Sequence, residues 1–593
     1  MTDSPTGSLA GSSTSYTWTP DRLIHYPLVE HVHLAPDGGQ FLFTQRVAHL
    51  TGDASEFRQQ TFVAPAQSGA ARALTHQASA AQPRWSPDGQ MIAFLRPLPD
   101  SGKPGLWIMP AAGGEPWPLT GAENGIFNAV TSYEWSPDGS RIAFVSVPWD
   151  EAEEARRRAR DDARQWRVDY AYAHLFVATL PKTPGPAAEV GRVTRGRIHV
   201  HAFDWRPDSA EIAFIHQPTP CLDTWADAQL ATVAVDGSST PTWVTRGPAT
   251  AWNAVPRYSP DGAWIACEVA GEDRAWPYAS RIHLYAADSG SEASASRLLA
   301  DVSDNQPKVV GWSPDGQAVY ALNQRGLGTE LLALPVDGSA PHVLVAADRL
   351  VSASHVNRRG QAALVRQDFH QPDTVEIVDL THTQAGAQPG SAPAPQPVTM
   401  PAADYPTGPL PQVRLLNWET PDGFTIEGML YLPQDYEQAR DGRIPLLLHI
   451  HGGPMSIFQR QYAAAPYYYS PAALCERGIA VLRCNPRGSG GYGRAFRYAN
   501  LSDWGGGDYR DLMQGVDQVI DLGIADPARL GVAGWSYGGY MTSWIITQTD
   551  RFAAASIGAP VTNPISFTGT ADIPSFVPGF FGGEFWERWE HYV

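Results

Sequence analysis

One phrase, Trp-Ser-Pro-Asp-Gly followed by an apolar run, recurs along much of the chain and limits what it can fold into. It reads WSPDGQMIAFL from Trp85, WSPDGSRIAFV from Trp135, YSPDGAWIACEV from Tyr258 and WSPDGQAVYAL from Trp312. Weaker copies are LAPDGGQFLFT from Leu34, WRPDSAEIAFI from Trp205 and VNRRGQAALV from Val356. The spacing, mostly about 45–55 residues, is that of propeller blades. Within the phrase an aromatic ends a strand, Pro presets φ, Asp bonds its own backbone and Gly accepts positive φ, which together make a tight hairpin turn. The strand that follows, such as Met91 to Leu95, is apolar on both of its sides, as strands buried on both faces are. Stacked blades bury both faces of each sheet. Seven copies predict an all-β, seven-bladed propeller over residues 23–381.

The interval from Asp138 to Asp208 is longer than the period. It holds DEAEEARRRARDDARQW, roughly residues 150–166, which reads as an exposed charged helix inserted in or beside the third blade. This is either a solvated excursion or a lid, an oligomer contact or a reader of substrate charge, with Arg156, Arg157, Arg158 and Arg160 available to a carboxylate. Residues 382–411, rich in Pro, Ala and Gly, read as a linker closing the propeller. Residues 1–22 read as a flexible segment with neither the basic start nor the apolar centre of a secretory signal.

From residue 412 the pattern changes. TIEGMLYLP, IPLLLHIHGGP, IAVLRCNPRG and RLGVAGWSYGG are strand-like runs separated by helix-length segments such as Asp508 to Leu522. That alternation predicts a parallel sheet with helices on both faces. The second domain, residues 412–593, is therefore expected to be of the α/β-hydrolase kind. Gly534-Trp535-Ser536-Tyr537-Gly538-Gly539 lies between an apolar strand and a helix-like run, the setting that a nucleophile elbow requires. Ser536 is the expected nucleophile. His451-Gly452-Gly453-Pro454 ends a strand where hydrolases carry an oxyanion loop, so the amides of Gly453 and Tyr537 are the expected donors to the oxyanion. His449 and His451 have no third ligand near them and are not read as a metal pair; His451 reads as holding the loop. Arg487 in NPRGSG either orients that loop or a substrate carbonyl, or forms a structural salt bridge. Neither a cofactor nor a metal is expected.

HGGP, NPRGSGGYG, WGGGDYRDL and GWSYGGYM occur in that order behind a propeller. In this the chain resembles the prolyl oligopeptidase family of serine peptidases, and HGGP with NPRGS looks closest to its acylaminoacyl-peptidase branch. The resemblance implies hydrolysis of short peptides through an acyl-enzyme on Ser536, with the propeller limiting substrate size. It also implies a homo-oligomer as an option, and an apolar pocket after the elbow, where Phe576, Phe580, Phe581 and Trp586 either line the pocket or belong to the core. Dipeptidyl-peptidases of the family bind the substrate amine with paired glutamates; Glu153 and Glu154 are adjacent, but their Arg-rich surroundings differ. Carboxypeptidase-like and dipeptidyl-peptidase-like cleavage, an esterase and a scaffold stay open as alternatives.

A serine peptidase needs a His base and a carboxylate to orient it. In the family these follow the serine at a greater distance than separates Ser536 from Val593. His591, in EFWERWEHYV, matches a segment near the pocket rather than the triad, and Asp550 and Asp572 precede the expected position. The chain is accordingly expected to continue past Val593, and without its last strands to expose an apolar sheet edge.

The formal net charge of −18 argues against nucleic acid or anionic membrane as a partner. Cys221, Cys267, Cys475 and Cys484 show no metal-ligand spacing, and Cys267 and Cys484 read as small buried residues. With no apolar run of the about 20 residues that a membrane helix needs, a cytoplasmic location is the expectation.

Overall fold

The computed structural model describes residues 16–593 apart from 52–54, 68, 76–78, 162, 166–167, 182–187, 238–239, 246–249, 252, 271–275, 289–295, 300–301, 303–305, 382–395 and 399–405. Seven four-stranded antiparallel sheets form a seven-bladed propeller, and a six-stranded sheet forms the centre of an α/β domain behind it. Each repeat phrase lies at the hairpin between the innermost strand of a blade and the next. In the second blade Ser86 Oγ donates to Asp88 Oδ1 at 2.5 Å, the same oxygen accepts the Gln90 N–H at 3.0 Å, and Gly89 takes φ 72°. The weaker copy WRPDSA keeps the same turn with Ser209 at φ 61°. The second strands fill the space between blades: Ile142, Ala143, Phe144 and Val145 are all buried. The degenerate phrase at Val356 also makes its hairpin, with the Asn357 Oδ1 accepting the Arg359 and Gln361 N–H groups in the role of Asp.

Two boundaries differ from expectation. The expected linker supplies Gln396–Val398, which pairs with Thr374–Asp379 as the outer strand of the seventh blade; residues 382–395 lie outside the described residues. The expected flexible N-terminal segment is docked from Tyr16 onward. The N–H groups of Thr17 and Trp18 donate to the Glu476 carboxylate at 2.7 Å, and Trp18, fully buried, donates Nε1–H to the Pro409 carbonyl at 2.6 Å. A large apolar side chain with both of its polar demands met accounts for this order; residues 1–15 lie outside the described residues.

From edge to edge, the hydrolase sheet runs through Gln412–Glu419, Thr425–Leu432, Ala480–Asn485, Ile444–Ile450, Ala525–Trp535 and Phe552–Gly558. The first two strands are antiparallel to their neighbours and the rest are parallel. Leu446, Leu448, Leu482 and Val532 from the sheet pack with Val516, Met541 and Ile545 from the helices Gly507–Asp521 and Tyr537–Gln548. The edge strand is different: Ala553, Ala554, Ala555, Ser556 and Ile557 are all exposed.

The hydrolase sits against the propeller end opposite the repeat turns. Gly326 N–H donates to the Gly491 carbonyl at 2.8 Å, Tyr462 N–H to Gln367 Oε1 at 2.9 Å, and Trp276 Nε1–H to Ser575 Oγ at 3.1 Å. Among the described residues no helix is long and apolar enough to cross a membrane.

Candidate active site

Strand Ala525–Trp535 runs straight into helix Tyr537–Gln548, and Ser536 takes the whole change of direction at φ 60°, ψ −121°. A non-glycine residue in this region is strained, and such strain is typical of functional turns. The Ser536 N–H donates to the Gly558 carbonyl at 3.0 Å and its carbonyl accepts the Tyr540 N–H at 2.9 Å, so the backbone is pinned on both sides while the residue stays exposed. The glycines around it are sterically required. A Cβ on Gly534 would collide with the Gly538 carbonyl, and one on Gly538 with the Ile450 carbonyl.

The loop His451–Pro454 passes beside Ser536: a Cβ on Gly452 would lie 3.4 Å from Ser536 Cβ and 3.9 Å from its Oγ. The loop is held from below. His451 is buried and bonds the Gly452 carbonyl at 2.7 Å and Ser489 Oγ at 3.0 Å, and burial lowers its pKa to about 4. Its two ring nitrogens are thus engaged away from Ser536. On the other side, Tyr537 begins the elbow helix, where first-turn N–H groups have no partner within the helix.

Tyr537 is fully buried, and its hydroxyl donates to Asp508. The other oxygen of Asp508 accepts the N–H groups of Gly505 at 2.9 Å and Tyr509 at 2.8 Å. Burial pushes the Asp508 carboxyl up to about 7. This support beneath the elbow was missed by sequence reasoning, although an acid in the run WGGGDYRDL, in the first turn of a helix, was a usable signal.

Arg487 has the structural role of its two alternatives. Its Nε and Nη2 reach Asp511 at 2.9 and 2.8 Å, and Nη1 and Nη2 reach Asp422 at 2.5 and 3.0 Å. With every guanidinium nitrogen engaged, it anchors the NPRG loop to helix Gly507–Asp521 and is not available to a substrate carbonyl. Phe580 and Phe581 are buried against Trp504 and belong to the core. Phe576 packs edge-on against Trp276 of the propeller and is partly buried. Trp586 is 66% exposed and rests edge-on against Phe585.

In the insert, helix Glu151–Arg158 buries no residue, and its charges satisfy one another: Glu154 pairs with Arg157 and Arg158, and Glu153 with Arg164. His591 lies against Phe581 and faces Glu590 at 3.6 Å. No hydrogen bond to Ser536 Oγ occurs among the described residues, and neither His591, Asp550 nor Asp572 is brought to it. All four cysteines are free thiols. Among the described residues no cluster of His, Cys, Asp or Glu suited to a metal is present.

A seven-bladed propeller joined to an α/β-hydrolase domain with a strained strand-to-helix elbow at Ser536 defines the fold class. Residues 466–593 match the prolyl oligopeptidase family of peptidases. Among curated proteins it is 26% identical to the uncharacterized peptidase YuxL of Bacillus subtilis, over 91% of this chain and 82% of that one. It is 24% identical to dipeptidyl-peptidase 5 of Porphyromonas gingivalis, over 98% of this chain and 84% of the relative. Its fold matches the crystal structure of Pyrococcus horikoshii acylaminoacyl peptidase with a TM-score of 0.74 at 16% identity, over 97% of this chain and 84% of that one.

Proposed function

We propose that the protein is a serine peptidase of short peptides, acting through an acyl-enzyme on Ser536. The observation that carries this reading is the exposed Ser536 in a strained elbow with the glycine loop against it. Attack by Oγ on a peptide carbonyl makes a tetrahedral oxyanion, which the amides of Gly453 and Tyr537 stabilise by a few kcal/mol each. Collapse expels the amine and leaves the acyl-enzyme, which water hydrolyses. The proton must pass to an imidazole. Among the described residues no histidine is hydrogen-bonded to Ser536.

Acylaminoacyl-peptidase specificity, with a blocked N-terminus accepted, is the finer reading. The spent carboxylates of Glu153 and Glu154 favour it, because an amine-binding site needs an acid not already paired. The similarity to dipeptidyl-peptidase 5 over 98% of this chain supports the second reading, release of N-terminal dipeptides. Location in the cytoplasm and self-association are further parts of the proposal.

The natural protein is to be weighed intact, labelled with a fluorophosphonate and offered an acetylated and a free-amine peptide of the same sequence. Labelling that Ser536→Ala abolishes, together with preferential cleavage of the acetylated peptide, is the expected result. Absence of labelling in a protein of 64.3 kDa would remove the enzyme reading, and preference for the free amine would select dipeptidyl release.

A further inference from the structure

The residue just before the aromatic position of each turn phrase is His33, Arg84, Glu134, Asp204, Arg257, Gly311 or His355 in successive blades. All seven line one cavity of about 380 Å3, at the end of the propeller remote from the hydrolase. The repeat forces this arrangement: seven innermost strands at one register bring seven equivalent positions around the axis.

Most acceptor atoms of this ring are already engaged. Glu134 is paired with Arg84. Asp204 accepts the Tyr258 N–H through Oδ2 at 2.8 Å and faces Arg257 through Oδ1 at 3.4 Å. His355 Nδ1 accepts the Leu34 N–H at 3.1 Å and His33 Nδ1 the Trp85 N–H at 3.5 Å. The two rings stack at 3.8 Å, and burial with the nearby Arg84 keeps both well below the ordinary histidine pKa. Each imidazole is therefore neutral, with its proton on Nε2.

What remains is a set of donors. Arg84 Nε is buried and has no partner among the described residues. Arg257 spends one guanidinium nitrogen on a long contact. The Nε2–H groups of His33 and His355 add two more, and the exposed Arg358 stands at the rim. Gly311 leaves a gap in the ring, and Trp135, Trp205, Tyr258 and Trp312 wall the cavity. Donors without acceptors, beside two guanidinium groups, are the complement of an anion.

We propose that this remote mouth of the propeller channel binds a small oxyanion, either a carboxylate or inorganic phosphate. The test is calorimetric titration of the protein with N-acetylglycinate, N-acetylglycinamide and inorganic phosphate. The acid or phosphate is expected to saturate one site, and whichever does so identifies the source; the amide is expected to give no binding. Arg257→Met is expected to weaken the anion at least tenfold. Gly311→Asp should do the same while keeping every existing ring contact, since a Cβ there meets Val356 at 3.4 Å; it decides the matter if Arg257→Met fails to fold. Binding of neither anion, equal binding of acid and amide, or wild-type affinity in Gly311→Asp would overturn the proposal.

Discussion

At the scale of single residues the site depends on groups that never meet a substrate. Asp508 shows this through pH. Its carboxyl titrates near 3.8 when exposed and at about 7 in the folded chain. Folding therefore takes up a proton between those values, and stability from this group is full below about pH 4 and declines as pH rises toward 7. Asp508→Asn is expected to flatten the pH dependence of urea unfolding across that window. Arg487→Met leaves Asp511, which is 1% exposed, without its cation. Loss of one partner of a buried pair costs about 3–5 kcal/mol, so a comparable fall in unfolding free energy is expected from urea titration. Ser536 and its glycines were legible in the sequence because the elbow is a local motif with a steric reason. Arg487 was not resolved, since its carboxylates Asp422 and Asp511 come from distant segments and pairing across a fold leaves no local pattern.

Among elements, the repeat turn and the sheet edge carry different lessons. The seven blades were readable because each turn is satisfied within a few residues, in the four clear copies by Ser, Asp and Gly in fixed order. Even the degenerate phrase at Val356 keeps an Asx oxygen in place. The outer strand Gln396–Val398 was hidden inside a Pro-rich stretch, where pairing with Thr374–Asp379 is decided by geometry rather than by propensity. The docked Trp18 was missed for a similar reason, because its partners Glu476 and Pro409 lie far along the chain. Strand Phe552–Gly558 is an exposed, largely apolar edge with no strand beyond it among the described residues, a template for another strand. A protein of residues 1–593 is expected to self-associate through it, and Ile557→Lys to abolish most of that association in sedimentation velocity.

For the whole molecule, one corner of the contact between the two domains is held through Asp223. Asp223 of the propeller accepts the Ser575 N–H at 3.1 Å and its hydroxyl as well. Asp223→Ala is expected to speed amide hydrogen exchange several-fold at residues 573–578 while leaving the blades protected. The propeller itself closes without a shared strand: the first blade is built wholly from Leu28–Ala73 and the last from Leu350–Val398. The seam is made by Val29, Val32 and Phe43 against Ala363, Val365 and Val375, with Val29 N–H on Asp373. These partners are 344 residues apart, so at roughly 5–20 residues per second a ribosome leaves the first blade waiting about 17–70 s for its neighbour. During that interval a finished blade carries one greasy flank into a crowded cell, and the newborn chain is a client for whatever shields such surfaces until the circle is complete.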